Sequence, residues 1–277
     1  MHAQSLKPLK TIKPESSSVG EYLAEVWRFR NLIWVFARLD LKMQYAQTRF
    51  NLLWVILRPL MVLALFTFVF DRLMHVPGLR YAYALFAFSG LILWNNFSSL
   101  VNNAGAVVVA NQSLVKKTYF PRLILIISKT LISLVEVAVS LILLFALMVF
   151  HQHATSVTII FLPLFILAGL VPGVAVALWL NALTVRYRDL NQFVPTLVGF
   201  LIWLTPVFYP VTLIPDGYHF IMYLNPLAGA IQGFRWALLG DAFPDMWFLP
   251  SFVLAVVALA GGVMMFIRSE TALADYI

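Results

Sequence analysis

Apolar stretches separated by short polar segments run through this chain after residue 50, and their spacing constrains its fold more than any other feature. An α-helix needs about 20 predominantly apolar residues to cross the hydrocarbon of a bilayer, and several stretches reach that length. Hydrophobic residues make up 62% of the 277 residues, and the mean hydropathy is +0.89. This composition excludes a soluble domain and predicts an all-α, polytopic membrane protein.

The stretches predict six membrane-spanning helices, bounded by charged residues and by turns that contain Pro and Gly. They cover residues 51–70, 83–109, 123–150, 157–184, 193–209 and 246–267. Residues 210–246, before the last span, hold only apolar pieces that are too short to cross. Irregular backbone at membrane depth must be buried in protein or line a wet cavity, so we expect two short re-entrant or interfacial helices there.

The segment before the first span has a different pattern. In residues 21–50, apolar side chains alternate at helical spacing with basic ones, which predicts an amphipathic helix. We expect it to lie in the membrane interface with its basic face toward lipid headgroups. Packing on a partner protein is an alternative, and both can hold. The expected organisation is a cytoplasmic tail with this helix in residues 1–50, a six-span domain in 51–267 and a cytoplasmic tail in 268–277; the polar residues 1–20 predict no cleaved signal peptide.

The basic residues predict the orientation. Fourteen of the 19 Lys and Arg lie in one set of segments, which comprises residues 1–50, 111–122, 185–191 and 268–277. The opposite set holds three, Arg72, Arg80 and Arg235. An excess of Lys and Arg marks cytoplasmic segments, so both termini are predicted to be cytoplasmic. This distribution accounts for the net charge of +7, and no nucleic-acid partner is expected.

Several kinds of chemistry are excluded by residues that the chain lacks. It has no cysteine, which excludes disulfides, thiolate metal sites and cysteine nucleophiles. No Gly is followed by Lys, so the phosphate-binding P-loop is absent, and this chain is not expected to hydrolyse ATP by itself. His151 and His153 have no third ligand near them in the sequence, and no metal or other cofactor is expected on this chain.

Four groups of residues resemble, in their order and spacing, a known family. They are Arg38-Leu-Asp-Leu-Lys42 with Gln44-Tyr45-Ala-Gln-Thr48, Trp54 and Pro59; Gly90-Leu-Ile-Leu-Trp94-Asn-Asn-Phe97; Asn111-Gln-Ser-Leu-Val-Lys-Lys117 with Phe120-Pro121-Arg122; and Arg186-Tyr-Arg-Asp189 with Thr205-Pro206-Val-Phe-Tyr209-Pro210, Asn225-Pro226 and Gly233-Phe-Arg235. With six spans and a preceding helix, the chain resembles the permease subunit of type-2 ABC exporters of O-antigen, capsular and teichoic-acid polysaccharides. The stretch from Asn225 to Gly240 is most similar to the O-antigen type.

The resemblance implies an assembly in the bacterial inner membrane. Two copies of this chain would form a homodimer, because one copy of six spans encloses too little for a glycan channel. Two copies of a cytoplasmic ABC ATPase subunit would carry the ATP and Mg. The cargo would be a lipid-linked polysaccharide, and membrane lipids would surround the whole. The ATPase would be contacted by loops whose charged residues are Lys116, Lys117, Arg122, Arg186, Arg188 and Asp189. The plainer interpretation is that these charges only set topology, which does not require Asp189.

Three further sets of residues are candidates for the transport path. Aromatic faces stack on sugar rings, and in the resembling family the first, second and fifth spans line the conduit; the candidates are Phe66, Phe70, Trp94, Phe97, Phe200, Trp203, Phe208 and Tyr209. Lipid pyrophosphate would be contacted by basic residues at the cytoplasmic interface, Arg38, Lys42, Arg49 and Arg58, although Arg58 can also snorkel. A polar network inside the membrane is expected from Asn95, Asn96, Ser99 and Glu136, either as a helix–helix contact or facing water.

Two other functions are left open by the sequence. The same fold could export a drug or another small lipid. A membrane enzyme that acts on polyprenyl lipids would need paired acidic residues in its cytoplasmic loops for metal-assisted phosphate chemistry. Asp189 is the only acidic residue in the predicted inner loops between spans, and no Asp-x-Asp occurs, so the sequence disfavours the enzyme.

Overall fold

Every element that the structure describes is a helix. The computed structural model describes residues 18–46, 51–73, 81–184, 186–187, 189–244 and 246–276. No strand occurs within these ranges. The all-α prediction is therefore confirmed for the described part of the chain.

Two helices occupy the region for which the sequence predicts one amphipathic helix. Helix α1 covers Val19–Arg28 and α2 covers Arg30–Ala46, with Phe29 in a non-helical conformation between them. Ser18 and Glu21 form a capping box, in which each side chain accepts a hydrogen bond from the backbone N–H of the other residue. This box satisfies two donors at the start of α1. Residues 47–50 of the predicted helix lie outside the described residues.

The first two predicted spans correspond to helices α3 and α4. Helix α3 covers Asn51–Phe66 and continues as a π-helical segment, Thr67–Leu73. Helix α4 covers Tyr83–Ser99 and continues as a π-helical segment, Leu100–Ala104. The predicted second span, 83–109, thus ends five residues early, because Gly105 and Ala106 form a turn.

Short helices follow that turn, and the middle of the chain is built from long ones. Helix α5 covers Val107–Ala110 and α6 covers Gln112–Lys117. Helix α7 covers Leu123–Phe150. A 3-10 segment, Val157–Phe161, leads into α8, which covers Leu162–Thr184. Helix α9 covers Leu190–Leu204, so the predicted fifth span, 193–209, begins earlier than expected, and its last five residues are not helical.

Two 3-10 segments, Val211–Leu213 and Asp216–Tyr218, and two α-helices lie between α9 and the last long helix. The α-helices are α10, His219–Tyr223, and α11, Pro226–Leu239. The start of α11 follows from its sequence: the Asn225 side chain accepts a hydrogen bond from the N–H of Leu227 at 3.0 Å, and Pro226 has no N–H to satisfy. Gly240 ends α11 with φ +69°, a conformation that glycine adopts without steric cost. Helix α12 covers Phe248–Tyr276.

Four segments are long and apolar enough to cross a bilayer among the described residues: Tyr83–Ala104, Leu123–Phe150, Val157–Thr184 and Phe248–Glu270. Two shorter apolar segments, Pro59–Phe70 and Leu190–Leu204, correspond to the first and fifth predicted spans. Length and composition therefore establish four of the six predicted spans as candidates, and the other two are shorter than a full crossing.

Helix α8 lies at the centre of the packing, with α4, α11 and α12 against it. Close approach of α4 depends on Gly173, where a Cβ would come within 2.8 Å of Leu100 Cδ1. Small residues permit such contacts between membrane helices. The buried side chain of Asn181 holds the end of α4 to the end of α8, since it donates to the carbonyls of Ala104 and Ala177 and accepts from the N–H of Val108 at 3.1 Å. The segments that follow α4 and α8 therefore lie at the same end of the bundle.

Candidate functional site

A cavity of about 660 Å³ opens between α4, α8, α9 and the segment that leads to α11. Its walls are mostly aromatic and aliphatic, with Asn225 as the single amide side chain among them. The lining residues are Trp94, Phe97, Pro172, Val176, Leu201, Leu204, Tyr209, Ile214, Tyr218, Ile221, Met222, Leu224, Asn225 and Pro226. Concave, mostly apolar walls with few polar groups are typical of sites that bind small molecules or parts of larger ones.

The eight aromatic candidates separate into three groups. Trp94, Phe97 and Tyr209 line the cavity, and the rings of Trp94 and Phe97 lie 5.6 Å apart. Phe200 is 67% exposed on the outer surface of α9. The remaining four form a stacked cluster in which the rings of Phe66 and Phe208 are parallel, with centroids 3.6 Å apart. The cluster comprises Phe66, Phe70, Trp203 and Phe208, with Tyr83 against Phe70.

Arg235 is a functional candidate that the sequence analysis missed. It was counted as a charge of an outer loop, but it lies in α11 and is 2% exposed. Its guanidinium donates to the carbonyls of Pro206, Val207 and Phe86 at 2.8, 2.7 and 3.1 Å and to the Ser89 hydroxyl at 3.3 Å.

This arrangement fixes the turn between α9 and α10 against α4. The Arg235 guanidinium carbon also lies 3.5 Å from the centroid of the Phe86 ring, a cation–π contact. The carbonyl of Phe208, next to the clamped Val207, accepts a hydrogen bond from the Tyr83 hydroxyl at 2.8 Å. Arg235 therefore sets the position of the turn that supplies Phe208 to the aromatic cluster.

The structure brings three of the four residues proposed for a polar network, Asn96, Ser99 and Glu136, to the contact between α4 and α7. Glu136 accepts a hydrogen bond from the Ser99 hydroxyl at 3.0 Å, and Ser99 in turn accepts from the Asn103 amide at 3.1 Å. Asn96 is buried and donates to the carbonyl of Ser133 at 3.3 Å. Asn95 is exposed on α4, and the structure does not bring it into this group.

The predicted pyrophosphate contacts lie on or near α2 and α3. Arg38 and Lys42 are exposed on α2, four residues apart and therefore on one face. Arg49 lies outside the described residues. The structure describes only the backbone of Arg58, which belongs to α3. Asp40, between the two exposed basic residues, forms an ion pair with Lys129 of α7 at 2.8 Å.

The described residues among the predicted ATPase contacts are exposed, except for Arg122, which is partly buried. Lys116 and Lys117 are exposed at the end of α6, and Arg186 and Asp189 are exposed between α8 and α9; Arg188 lies outside the described residues. Since the ends of α4 and α8 are held together by Asn181, these exposed charges lie at one end of the bundle.

Arg122 is the exception, because it is held within the membrane domain. Its backbone N–H donates to a carboxylate oxygen of Glu270 in α12 at 2.9 Å, and its guanidinium donates to the Glu270 carbonyl at 3.1 Å. The hydroxyl of Tyr22 in α1 accepts from the next N–H, that of Leu123, at 3.3 Å. Burial and the neighbouring Glu270 carboxylate raise the pKa of Tyr22, so its hydroxyl stays protonated. The segment after α6 is thus joined to both α1 and α12.

The described helices define a multi-pass membrane protein with an aromatic-walled cavity. The family model for the ABC-2 type transporter matches residues 31–239, well over half of the chain, and the chain belongs to this family. The resemblance to type-2 ABC exporter permeases is confirmed.

Curated relatives cover most of the chain. An O-antigen export system permease protein, RfbA, of Klebsiella pneumoniae is 26% identical over 235 residues, which are 83% of this chain and 90% of the relative. The RfbA protein of Myxococcus xanthus is 27% identical over 226 residues, 80% of this chain and 85% of the relative. The polysialic acid transport protein KpsM of Escherichia coli is 22% identical over 201 residues, 72% of this chain and 78% of the relative.

Proposed function

We propose that this chain is the permease subunit of an ATP-driven exporter that moves lipid-linked polysaccharide, such as O-antigen, across the bacterial inner membrane. The observation that carries the proposal is the similarity to O-antigen export permeases over most of both chains. The link between the glycan and its carrier would be a polyprenyl pyrophosphate. Because the sequence contains no P-loop, the ATP is hydrolysed by a separate ATPase subunit.

Six spans with both termini in the cytoplasm make up the proposed topology. Four of the spans are the long segments. The other two are α3 with its π-helical continuation and α9 with the turn that follows it. At 1.5 Å per residue, the 15 residues of α9 rise about 22 Å, less than the hydrocarbon thickness of about 30 Å. The turn clamped by Arg235 completes the crossing, and α10 and α11 re-enter from that side.

A second copy of the chain completes the conduit in this proposal. The cavity of about 660 Å³ is large enough for a few sugar units and too small for a polymer. Apolar side chains stay exposed along α3 and α9, which suits a two-fold contact of these helices with their counterparts. The exposed side chains are Leu57, Met61 and Leu65 on α3, Phe68 on its π-helical continuation, and Phe193, Leu197, Phe200 and Leu204 on α9.

The cytoplasmic partners in the proposal are two ABC ATPase subunits. The exposed charges of α6 and of the segment between α8 and α9 lie at one end of the bundle, and three of these four side chains, Lys116, Lys117 and Arg186, are basic. Short charged segments tied rigidly to long helices can transmit a rigid-body push from a cytoplasmic subunit. The excess of positive charge at this end would also suit the docking of an acidic surface of the ATPase.

The experiment that tests the proposal is purification of the chain together with its ATPase, followed by mass spectrometry of bound lipid and reconstitution into vesicles. We expect a polyprenyl-pyrophosphate glycan to copurify, and ATP-dependent movement of that lipid across the bilayer. Trp94→Ala should slow export, whereas Phe150→Ala, at an 80% exposed position of α7, should not. Copurification of a drug-like or short-chain lipid, nucleotide turnover by the permease alone, or termini on opposite faces of the membrane would contradict the proposal.

A further inference from the structure

Lys129 places a charge seven residues into α7, within a segment that is apolar enough to span a bilayer. A charged side chain there needs a partner. The partner is Asp40 of α2, whose carboxylate lies 2.8 Å from the Lys129 ammonium, with each side chain about a quarter exposed. The pair joins the preceding helix to the membrane domain.

Helix α2 has an inner and an outer face. The inner face packs on the membrane domain through Leu32, Ile33 and Phe36, and Ala37 is buried there. Phe36 meets Phe120 with ring centroids 5.5 Å apart. The outer face is exposed and mixes an indole and aliphatic side chains with polar and basic ones: Asn31, Trp34, Arg38, Leu39, Lys42 and Met43. Such a mixed face is suited to the headgroup level of a bilayer.

The outer face contains a shallow depression of about 380 Å³, lined by Asn31, Trp34, Val35 and Arg38. An amide and a guanidinium supply donors, and the Trp34 ring forms an apolar wall. No carboxylate of the described residues lines the depression. A guanidinium beside neutral donors suits a phosphate oxygen, and at the headgroup level that phosphate belongs to a lipid.

The ion pair determines which way this depression points. Apolar contacts such as those of Leu32 and Phe36 hold a helix close but do not fix its rotation, because dispersion and burial have little directionality. A contact at 2.8 Å between two charged groups does fix it. Residues two apart lie about 200° apart around a helix, so holding Asp40 against α7 turns Arg38 outward.

We propose that Asp40 and Lys129 are positioning residues that hold α2 with Asn31, Trp34 and Arg38 facing outward, where these three bind the phosphate of an anionic lipid headgroup. The lipid is either the polyprenyl-pyrophosphate cargo or a bulk anionic phospholipid. The first source rests on the proposed function, whereas the second does not.

The absence of cysteine makes the orientation of α2 directly measurable. Single-cysteine variants Leu39→Cys, on the outer face, and Ala37→Cys, on the inner face, are reconstituted and exposed to a thiol reagent. In the parent background we expect position 39 to react and position 37 to be protected. Lys129→Met should reduce that difference, and the exchanged pair Asp40→Lys with Lys129→Asp should restore it. Full protection of position 37 in Lys129→Met protein would overturn the positioning role.

Binding of bulk lipid is measured with protein reconstituted into phosphatidylcholine vesicles of increasing phosphatidylglycerol content, as the phosphatidylglycerol that stays bound on extraction. Binding of cargo is measured by stimulation of the assembled complex's ATPase with the lipid-linked glycan. Arg38→Gln and Lys129→Met should each raise, by about tenfold, the KM for the glycan in the ATPase assay or the phosphatidylglycerol content at half-saturation, because a charge-assisted hydrogen bond is lost. The maximal ATPase rate should stay the same. The exchanged pair should recover. Arg28→Gln, an exposed arginine of α1, is the matched control.

The two arms separate the sources of phosphate. A change confined to the glycan response assigns the site to the cargo, and a change confined to phosphatidylglycerol vesicles assigns it to bulk lipid. If the parent itself shows no response to the glycan, the proposed function fails while the vesicle and labelling results still decide the role of the ion pair. Unchanged values in both arms for Arg38→Gln would overturn the headgroup site.

Discussion

Ser99 of α4 donates a hydrogen bond to the carboxylate of Glu136 in α7, with 3.0 Å between the oxygens. Glu136 also borders a polar pocket of about 220 Å³ that contains the Asp40–Lys129 ion pair. A carboxylate within a candidate span is costly unless it finds such partners. The pocket therefore places the hydrogen bond between α4 and α7 next to the ion pair that holds α2.

Two replacements of Glu136 distinguish the effect of its hydrogen bond from the effect of its charge. Glu136→Gln keeps an oxygen that accepts the Ser99 proton, whereas Glu136→Leu leaves the chain of Asn103 and Ser99 without its acceptor. We expect the Leu variant to be less stable than the Gln variant by about 1 kcal/mol and to export less. Thermal unfolding in lipid nanodiscs measures the stability, and ATP-dependent movement of the lipid-linked glycan in vesicles measures the export. Equal stability and export of the two variants would show that the hydrogen bond has no role.

Replacing the guanidinium of Arg235 by an ammonium should lower the stability of the protein. Arg235→Lys keeps the positive charge but cannot reach three carbonyls and a hydroxyl at once. We expect a loss of roughly 3 kcal/mol, since at least one charge-assisted hydrogen bond of about 1.5–3 kcal/mol is lost and buried acceptors stay unsatisfied. The exposed Arg186→Lys should change stability by less than about 0.5 kcal/mol. A similar Tm for both variants would contradict the clamp.

Gly90 provides the space that this clamp needs. A Cβ at Gly90 would lie 2.6 Å from Arg235 Nη2 and 3.0 Å from the Val207 carbonyl oxygen. Gly90→Ala should therefore cost about 1–3 kcal/mol by overpacking, whereas Gly199→Ala, which meets nothing within 4 Å, should be neutral or slightly stabilising.

A double variant tests whether the two residues are coupled. In an Arg235→Met background the guanidinium is gone, and the Gly90→Ala penalty should fall, which a double-mutant cycle on unfolding free energies measures. Strict additivity would mean that the crowding at Gly90 comes from the Val207 backbone alone.

The spacing of apolar residues was sufficient to predict the long helices. Helices α4, α7, α8 and α12 are long and apolar, and each was expected from the sequence. The polar residues of α4 and the depth of Glu136 also predicted that those two elements meet. These inferences depend on periodicity and depth, which a single sequence shows.

Contacts between distant segments could not be predicted in this way. Arg235 lies among Gly and Pro residues that resemble a loop, and its acceptors Pro206 and Phe86 are 29 and 149 residues away. The break at Phe29 has no Pro or Gly to mark it. It lies between α1, which packs against α12, and α2, which packs against α7. Lys129 was assigned to a span, but nothing local shows that Asp40 is its partner.

The link between Arg122 and Glu270 leads to the last prediction, which concerns coupling. Arg122 lies at the start of α7, a short segment after the end of α6 at Lys117, and is held by α12 instead of being free to meet a cytoplasmic subunit. If α6 is pushed by an ATPase, that pair carries the movement to α12, and Tyr22 carries it to α1. We expect Arg122→Ala to keep basal ATP hydrolysis by the assembled complex and to lose most of its stimulation by cargo.

The matched comparison uses the exposed charges at the same end. Reversal of Arg186 and Asp189 should uncouple hydrolysis from export by weakening the contact with the ATPase, so that copurification of the ATPase falls. In Arg122→Ala protein, copurification should stay near the parent value, because that side chain is only 13% exposed and faces Glu270. Loss of copurification in Arg122→Ala protein would instead place Arg122 in the contact itself, and unchanged stimulation in both variants would exclude a coupling role for this end of the bundle.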